Sequence, residues 1–265
     1  MTGTSEGMVL AGMPVSGLLL QKGGYRARIA SGADDVLAAQ RLRARCFRTD
    51  PLDQDKFDAA CLHVLIETVT CGRVVGCFRL MLLQNGGQLE ESYSFQFYDL
   101  SHLSTFPGHL MELGRFCIDP DCKDAGVLRL AWGAVTALVD QSGTELLFGC
   151  SSFAGTSPDA YLEAFALLHR RHLAPEPWRP GAKAKSVRLL EDLLRNRRAG
   201  QKPDLKQAQA QLPPLLRSYL AMGGWVSDHV VIDADLNTCH VFTGLEVSTI
   251  PAVRKRLLRG VAEPR

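Results

Sequence analysis

The segment Met111-Glu112-Leu113-Gly114-Arg115-Phe116-Cys117-Ile118 constrains this chain more than any other. Leu110–Ile118 reads as an apolar strand that nevertheless carries a carboxylate and a guanidinium, and Asp119-Pro120-Asp121 breaks it. Alternation assigns Glu112, Gly114 and Phe116 to one face, and Leu113 and Arg115 to the other. A charge in such a strand is costly to bury unless it is paired or used. Gly114 permits a bulge or a close backbone approach. Two readings stand: a general base beside a backbone opening for a ligand, or a buried Glu–Arg pair that fixes sheet register. Arg79, in Gly76-Cys77-Phe78-Arg79-Leu80, is a further in-strand charge. It either binds an anionic ligand or pairs with Glu112 or with an acid on the first helix.

The elements around this strand alternate. Tyr25–Ala30 reads as a short strand, and Ser31 with Asp34 resembles a capping box before a helix over Asp34–Phe47. His63–Val69 and Arg73–Leu83 are β-rich runs separated by Thr70-Cys71-Gly72, a hairpin signal. Helical periodicity covers Leu128–Gln141, with Gly143 as its stop. Glu145–Cys150 is a strand ending at Ser151-Ser152, and Pro158 opens a helix to Arg171. A basic helical stretch is expected over Ala184–Arg198, then a last α/β portion ending in a basic helix near Ile250–Leu258. Hairpins mixed with crossovers imply an α/β (α+β) fold with a mixed central sheet flanked by helices. The organisation expected is a flexible or membrane-peripheral N-terminus over 1–24, a core over 25–175 and a C-terminal basic helical and α/β extension over 176–265.

Charge divides along the chain although the net value is only +2. Residues 1–169 carry 13 Lys/Arg against 19 Asp/Glu, and residues 170–206 carry 11 against 4. An acidic body does not argue for nucleic acid, whereas the basic segment and Arg254, Lys255, Arg256 and Arg259 would attract an acidic protein or an anionic membrane face. The eight cysteines form no CxxC pair, which favours reduced thiols and a cytoplasmic setting. No stretch is long and apolar enough to span a bilayer, and Met8–Gln21 makes a poor signal peptide.

Other chemistry-bearing groups are weaker alone. Asp53, Asp55 and Asp58 could hold a cationic amine or a metal, or could belong to a solvated acidic loop; they lack the Gly and terminal Glu of a calcium loop. Gly149-Cys150-Ser151-Ser152-Phe153 is not a nucleophile elbow, so Ser151 and Ser152 are expected as hydrogen-bonding groups. No metal site is expected, and no GxGxxG or P-loop offers a nucleotide site.

In order, the blocks Ala39-Gln40-Arg41-Leu42-Arg43 with Phe47, Asp55-Lys56-Phe57-Asp58, Val74-Val75-Gly76 through Arg79-Leu80, Tyr93-Ser94 with Phe97-Tyr98-Asp99-Leu100, Glu112-Leu113-Gly114-Arg115 and Leu147 through Thr156 form a pattern. So do Leu212-Pro213-Pro214-Leu215-Leu216 and Asp235-Leu236-Asn237-Thr238. Together these resemble the bacterial N-acyltransferases of ornithine-lipid synthesis. That family is a branch of the Gcn5-related acyltransferase superfamily, close to the acyl-homoserine-lactone synthases. The resemblance implies a mixed-sheet acyltransferase core in which two strands splay to admit a phosphopantetheine arm. It implies a 3-hydroxyacyl group on acyl carrier protein as donor, no tightly bound cofactor, and the α-amine of ornithine as acceptor. Position by position it makes Glu112 the base. It places Arg43, Phe47, Asp55, Asp58, Arg79 and Arg115 in the polar framework that binds substrate, with Ser151 and Ser152 beside them. Partial burial would raise the pKa of Glu112 toward a useful value.

Two departures stand out. The superfamily's pyrophosphate loop is not visible over Asp119–Leu128, where only Gly126 remains, which suits a carrier-protein donor. The chain is also short between Phe47 and Asp53, which leaves glutamine open as the acceptor. Two further readings stand beside these: an acyl-homoserine-lactone synthase, and a non-catalytic module that binds acyl carrier protein or membrane. The expected setting is cytoplasmic and peripheral to an anionic inner-membrane surface.

Overall fold

The computed structural model describes residues 17–47, 51–198 and 201–262. In chain order the elements begin with β1 (Gly17–Lys22), β2 (Tyr25–Ile29), α1 (Ala33–Phe47), β3 (Leu62–Thr68), β4 (Val74–Leu83), β5 (Tyr98–Asp99) and β6 (His109–Ile118). There follow α2 (Ala125–Ser142), β7 (Thr144–Ala154), α3 (Leu162–Arg171), β8 (Gly181–Ala182), β9 (Val187–Leu189) and α4 (Leu190–Leu193). The chain continues through α5 (Leu205–Gln211), α6 (Pro214–Ala221), β10 (Trp225–Val226), β11 (His229–Asp233), β12 (Thr238–Glu246) and α7 (Ala252–Ala262). The architecture is α+β, with mostly antiparallel strand pairing. Two compact units share it, and the chain passes from one to the other within β6, between Glu112 and Leu113.

The first unit holds residues up to Leu82, Leu113–Thr144 and the chain from Val253. Its strands β1 to β4 form an antiparallel meander. Gly23, at φ +59°, takes the left-handed backbone that a two-residue hairpin turn between Lys22 and Tyr25 demands. The chain is thus already a strand at Gly17, and residues 8–16 of the apolar N-terminal stretch lie outside the described residues. Ala39 and Leu42 of α1 bury against Leu65, Cys77 and Cys117. The cap before α1 uses Asp35 rather than Asp34, because Asp35 Oδ2 accepts from both the N–H and the hydroxyl of Ser31. Helix α2 begins three residues earlier than its apolar periodicity predicts, because Asp124 caps it through Gly126 N at 2.7 Å. It ends at Gly143, left-handed at φ +63°.

The second unit holds Leu83–Glu112 and Glu145–Ala252. Strands β7 and β12 pair antiparallel from Ala154↔Thr238 to Leu146↔Glu246, and β11 joins β12 to β9. Phe148, Phe242 and Trp225 stack across this sheet. The helix expected over Ala184–Arg198 is not formed as such. Val187–Leu189 pair instead with His229–Val231, and only Leu190–Leu193 are helical. Backbone pairing to β11 overrides the helical preference of that stretch. Ser151 and Ser152 likewise lie inside β7 rather than at its end.

Candidate active site

Six charged side chains of the first unit close into an alternating ring. Arg43, buried on α1, donates from Nε to Asp53 Oδ2 at 2.6 Å and from Nη1 to Asp58 Oδ1 at 2.8 Å. Arg79, on β4, donates from Nη1 to Asp58 Oδ1 at 2.5 Å and to Asp55 Oδ1 at 2.6 Å. Arg115, on β6, donates from Nε to Asp53 Oδ2 at 2.9 Å and from Nη2 to Asp55 Oδ2 at 3.1 Å. Each guanidinium spans two aspartates and each aspartate bridges two arginines, so three charges of either sign cancel locally. This is the arrangement that makes buried charges tolerable, since each ion lies against opposite charge and hydrogen-bonding partners.

The ring's surroundings agree with that balance. Gln40, one turn before Arg43, donates to Asp58 at 2.9 Å. Burial would raise the Asp58 carboxyl, but hydrogen bonds from Arg43 and Gln40 override it and hold the group well below its usual range. Asp55 is lowered in the same way, with Arg79 and Arg115 outweighing burial. His63 reaches the Asp58 carbonyl at 3.0 Å, and burial lowers its pKa. Phe47 and Phe57 lie beneath the guanidinium groups of Arg115 and Arg79 respectively.

Simple alternation fails at Arg115. Its φ is +51°, left-handed for a residue that is not glycine, so the irregularity expected at Gly114 falls one residue later. The irregular backbone accompanies Arg115's contacts with Asp53 and Asp55, whereas Glu112 is held by other groups.

Glu112 belongs to the second unit, where its carboxylate is buried under three donors. Tyr93 N donates to Oε2 at 2.8 Å, while Ser94 N and Ser94 Oγ donate to Oε1 at 2.8 and 2.6 Å. The donors come from the start of a tight turn over Ser94–Gln96 and from Tyr93 just before it, whose backbone N–H groups would otherwise need partners of their own. Ser94 Oγ also lies 3.5 Å from Cys150 Sγ on β7. Tyr219, buried on α6, has its phenol pushed far above the ordinary range by burial and by the negative charge of Glu112. In the sequence, Tyr93-Ser94 stands out only as part of a pattern of blocks, and nothing there marks Tyr219.

Ser151 and Ser152 face opposite sides of β7. Ser151 is buried and its hydroxyl accepts from Thr243 Oγ1 at 2.9 Å across the β7–β12 pair, whereas Ser152 is exposed. Nearby in the same unit, Tyr98 is fully buried and donates to the His240 carbonyl at 3.0 Å, with its hydroxyl 2.9 Å from His240 Nδ1. The Nε2 atoms of His229 and His240 have no hydrogen-bond partner among the described residues. Among those residues no group of three or more His, Cys, Asp or Glu is placed to hold a metal ion.

Comparison with known proteins defines the class. The acetyltransferase (GNAT) domain family matches residues 39–133, a stretch that contains Arg43, Phe47, the three aspartates, Arg79, Glu112 and Arg115 and stops before Ser151. The chain is thus an acyltransferase of GNAT fold. It is 31% identical over 234 residues to the L-ornithine N(alpha)-acyltransferase of Rhodobacter capsulatus, covering 82% of this chain and 88% of that one. The protein of the same name from Rhizobium meliloti is 29% identical, with 89% and 85% covered. Among solved structures, FeeM, an N-acyl amino acid synthase from uncultured soil microbes, aligns over 84% of this chain and 91% of its own at 11% identity and TM-score 0.47. The chain belongs to the family of these L-ornithine N(alpha)-acyltransferases.

Proposed function

We propose that this enzyme transfers a 3-hydroxyacyl group from acyl carrier protein to the α-amine of ornithine, giving a lyso-ornithine lipid. The observation that carries the reading is the carboxylate of Glu112, buried and oriented by three hydrogen-bond donors. The names of the relatives supply the amine.

The chemistry follows from the residue types. An α-amine with a pKa of about 8 is mostly protonated near neutrality and has no lone pair with which to attack. Glu112, directly or through a water, takes that proton. The nitrogen then attacks the thioester carbonyl, the carbonyl oxygen gathers charge under backbone N–H donors, and collapse breaks the C–S bond. The phosphopantetheine thiol leaves with a proton, and no covalent enzyme intermediate forms. Phosphopantetheine arrives as the donor's arm and departs with the carrier protein as the free thiol, so this reading needs no resident cofactor.

A carrier-protein donor is supported by the start of α2. In coenzyme-A-dependent members of the superfamily that helix end faces a pyrophosphate; here Asp124 accepts from Gly126 N. A carboxylate at that position repels a pyrophosphate. In the Arg–Asp ring, Asp55 is the most exposed of the three aspartates, with 20% of its side chain accessible. It is the aspartate of the ring most open to a cationic group. The enzyme works in the cytoplasm and meets an anionic inner-membrane surface to release its amphiphilic product.

Mass spectrometry of purified protein supplied with 3-hydroxyacyl carrier protein and competing ornithine, glutamine and S-adenosylmethionine tests this. A 3-hydroxyacyl-ornithine product is expected. Acyl-glutamine alone would replace the acceptor, a lactone would overturn the amine-lipid reading, and no transfer at all would overturn the donor.

A further inference from the structure

Helix α7 presents an outward face built for a lipid surface. Val253 and Leu257, one turn apart, are 65% and 60% exposed. At 3.6 residues per turn, positions 253, 257 and 260 fall within about 60° of one another, with Arg256 on one side of this ridge and Arg254 on the other. Both arginines are exposed, whereas Lys255 and Leu258 on the opposite side are half-buried. Arg259 fastens the helix to α2 through two hydrogen bonds of 3.0 Å to the carboxylate of Asp140. The inward side is thereby anchored and the apolar ridge is left outward. No acidic residue occurs between Glu246 and Glu263.

We propose that the Val253–Leu257 ridge of α7 inserts into the headgroup region of an anionic bilayer, with Arg254 and Arg256 binding lipid phosphates on either side. An apolar strip between long cations matches a helix lying in the interface plane. The aliphatic stems of the arginines pack at the edge of the acyl region while their guanidinium groups stay at phosphate level. Each such cation adds electrostatic attraction to an anionic leaflet. Among the described residues no helix is long and apolar enough to cross a membrane, so α7 would serve as a surface contact. The proposal deepens the membrane-peripheral reading above and rests on it for its biological purpose. The binding itself is measured without donor or amine, so its failure would leave the acyl-transfer reading standing.

The test is flotation of the full chain with phosphatidylcholine vesicles, with or without phosphatidylglycerol. Binding is expected only with phosphatidylglycerol, weakening as salt rises. Val253→Asp/Leu257→Asp and Arg254→Glu/Arg256→Glu should each reduce partitioning about tenfold or more. Val253→Ala/Leu257→Ala, which keeps helix propensity, should also bind less, with unchanged circular dichroism. Wild-type protein that ignores anionic vesicles would overturn the proposal, as would variants that all partition like wild type. Variants that bind vesicles normally but need more acyl carrier protein for half-maximal rate would reassign the face to the acidic donor and overturn it too.

Discussion

Arg115 donates from Nε to Asp53 Oδ2 at 2.9 Å from a backbone held at φ +51°. A left-handed non-glycine residue inside a strand costs about 1–3 kcal/mol and persists only where surrounding contacts demand it. Here the demand is the ring: the same Asp53 oxygen accepts from Arg43, and Arg115 also closes the ring onto Asp55. The ring joins α1, the acidic loop before β3, β4 and β6, so one electrostatic unit sets the positions of four segments.

Breaking that unit should be felt throughout. Arg43→Leu leaves Asp53 and Asp58 each short of a partner in a site where Arg43 is 1% exposed. The expected loss is about 3–5 kcal/mol of unfolding free energy, read as a lower urea midpoint at constant slope. A loss below about 1 kcal/mol would show that the ring does not act as a unit.

Acid should act through histidine before it acts through the ring. Burial, followed by the charge of His229, lowers His240 from 6.5 to about 4. A histidine with a depressed folded value stabilises the fold above its unfolded pKa, and that stability is lost as pH falls from about 6.5 toward 4. For His240 alone the loss is about 3 kcal/mol over that window. Asp55 and Asp58 behave differently: their contribution is full above the unfolded carboxyl value of about 3.9 and is lost only as pH falls through their lower folded values. Urea midpoints measured across pH should therefore fall between about 6.5 and 4 for wild type and flatten in His240→Phe, with a residual slope from His63 and His172, both lowered by burial. An unchanged slope in the variant would contradict the assignment.

Ser94 supplies one of the three bonds that orient Glu112, and its backbone N–H supplies a second. Ser94→Ala removes the hydroxyl bond to Glu112 and the contact with Cys150, and keeps the backbone bond. We expect a loss of about 1.5–3 kcal/mol in stability at most, since the lost bond is to a charged group. kcat should drop about tenfold with little change in KM for the amine. A variant with raised KM and normal kcat would place Ser94 in amine binding instead.

What the sequence disclosed depended on how local the cause was. The β3–β4 hairpin and the Gly143 stop were legible because turn and cap chemistry lies within a few residues. Glu112 and Arg115 were visible as charges in an apolar strand, yet their partners were not. Asp53 lies 62 residues from Arg115, and Ser94 lies 18 residues from Glu112. Pairing of that kind is settled by tertiary register. The left-handed Arg115 was hidden for the same reason, since Gly114 beside it drew the expectation of a bulge. Val187–Leu189 read as helix because its pairing to β11 is a long-range choice.

Proton transfer to Glu112 is best probed by the pH dependence of acyl transfer to ornithine in wild type and Glu112→Gln. Glutamine keeps the size of the side chain but cannot take a proton, and its amide nitrogen meets the Tyr93 or Ser94 donors poorly. Near neutrality kcat should fall by about 10²–10⁴. As pH rises past the amine's own pKa of about 8 the substrate loses its proton unaided, so the gap between the two enzymes should shrink. A gap that stays constant from neutral to alkaline pH, in a variant with unchanged melting temperature, would contradict proton transfer to Glu112.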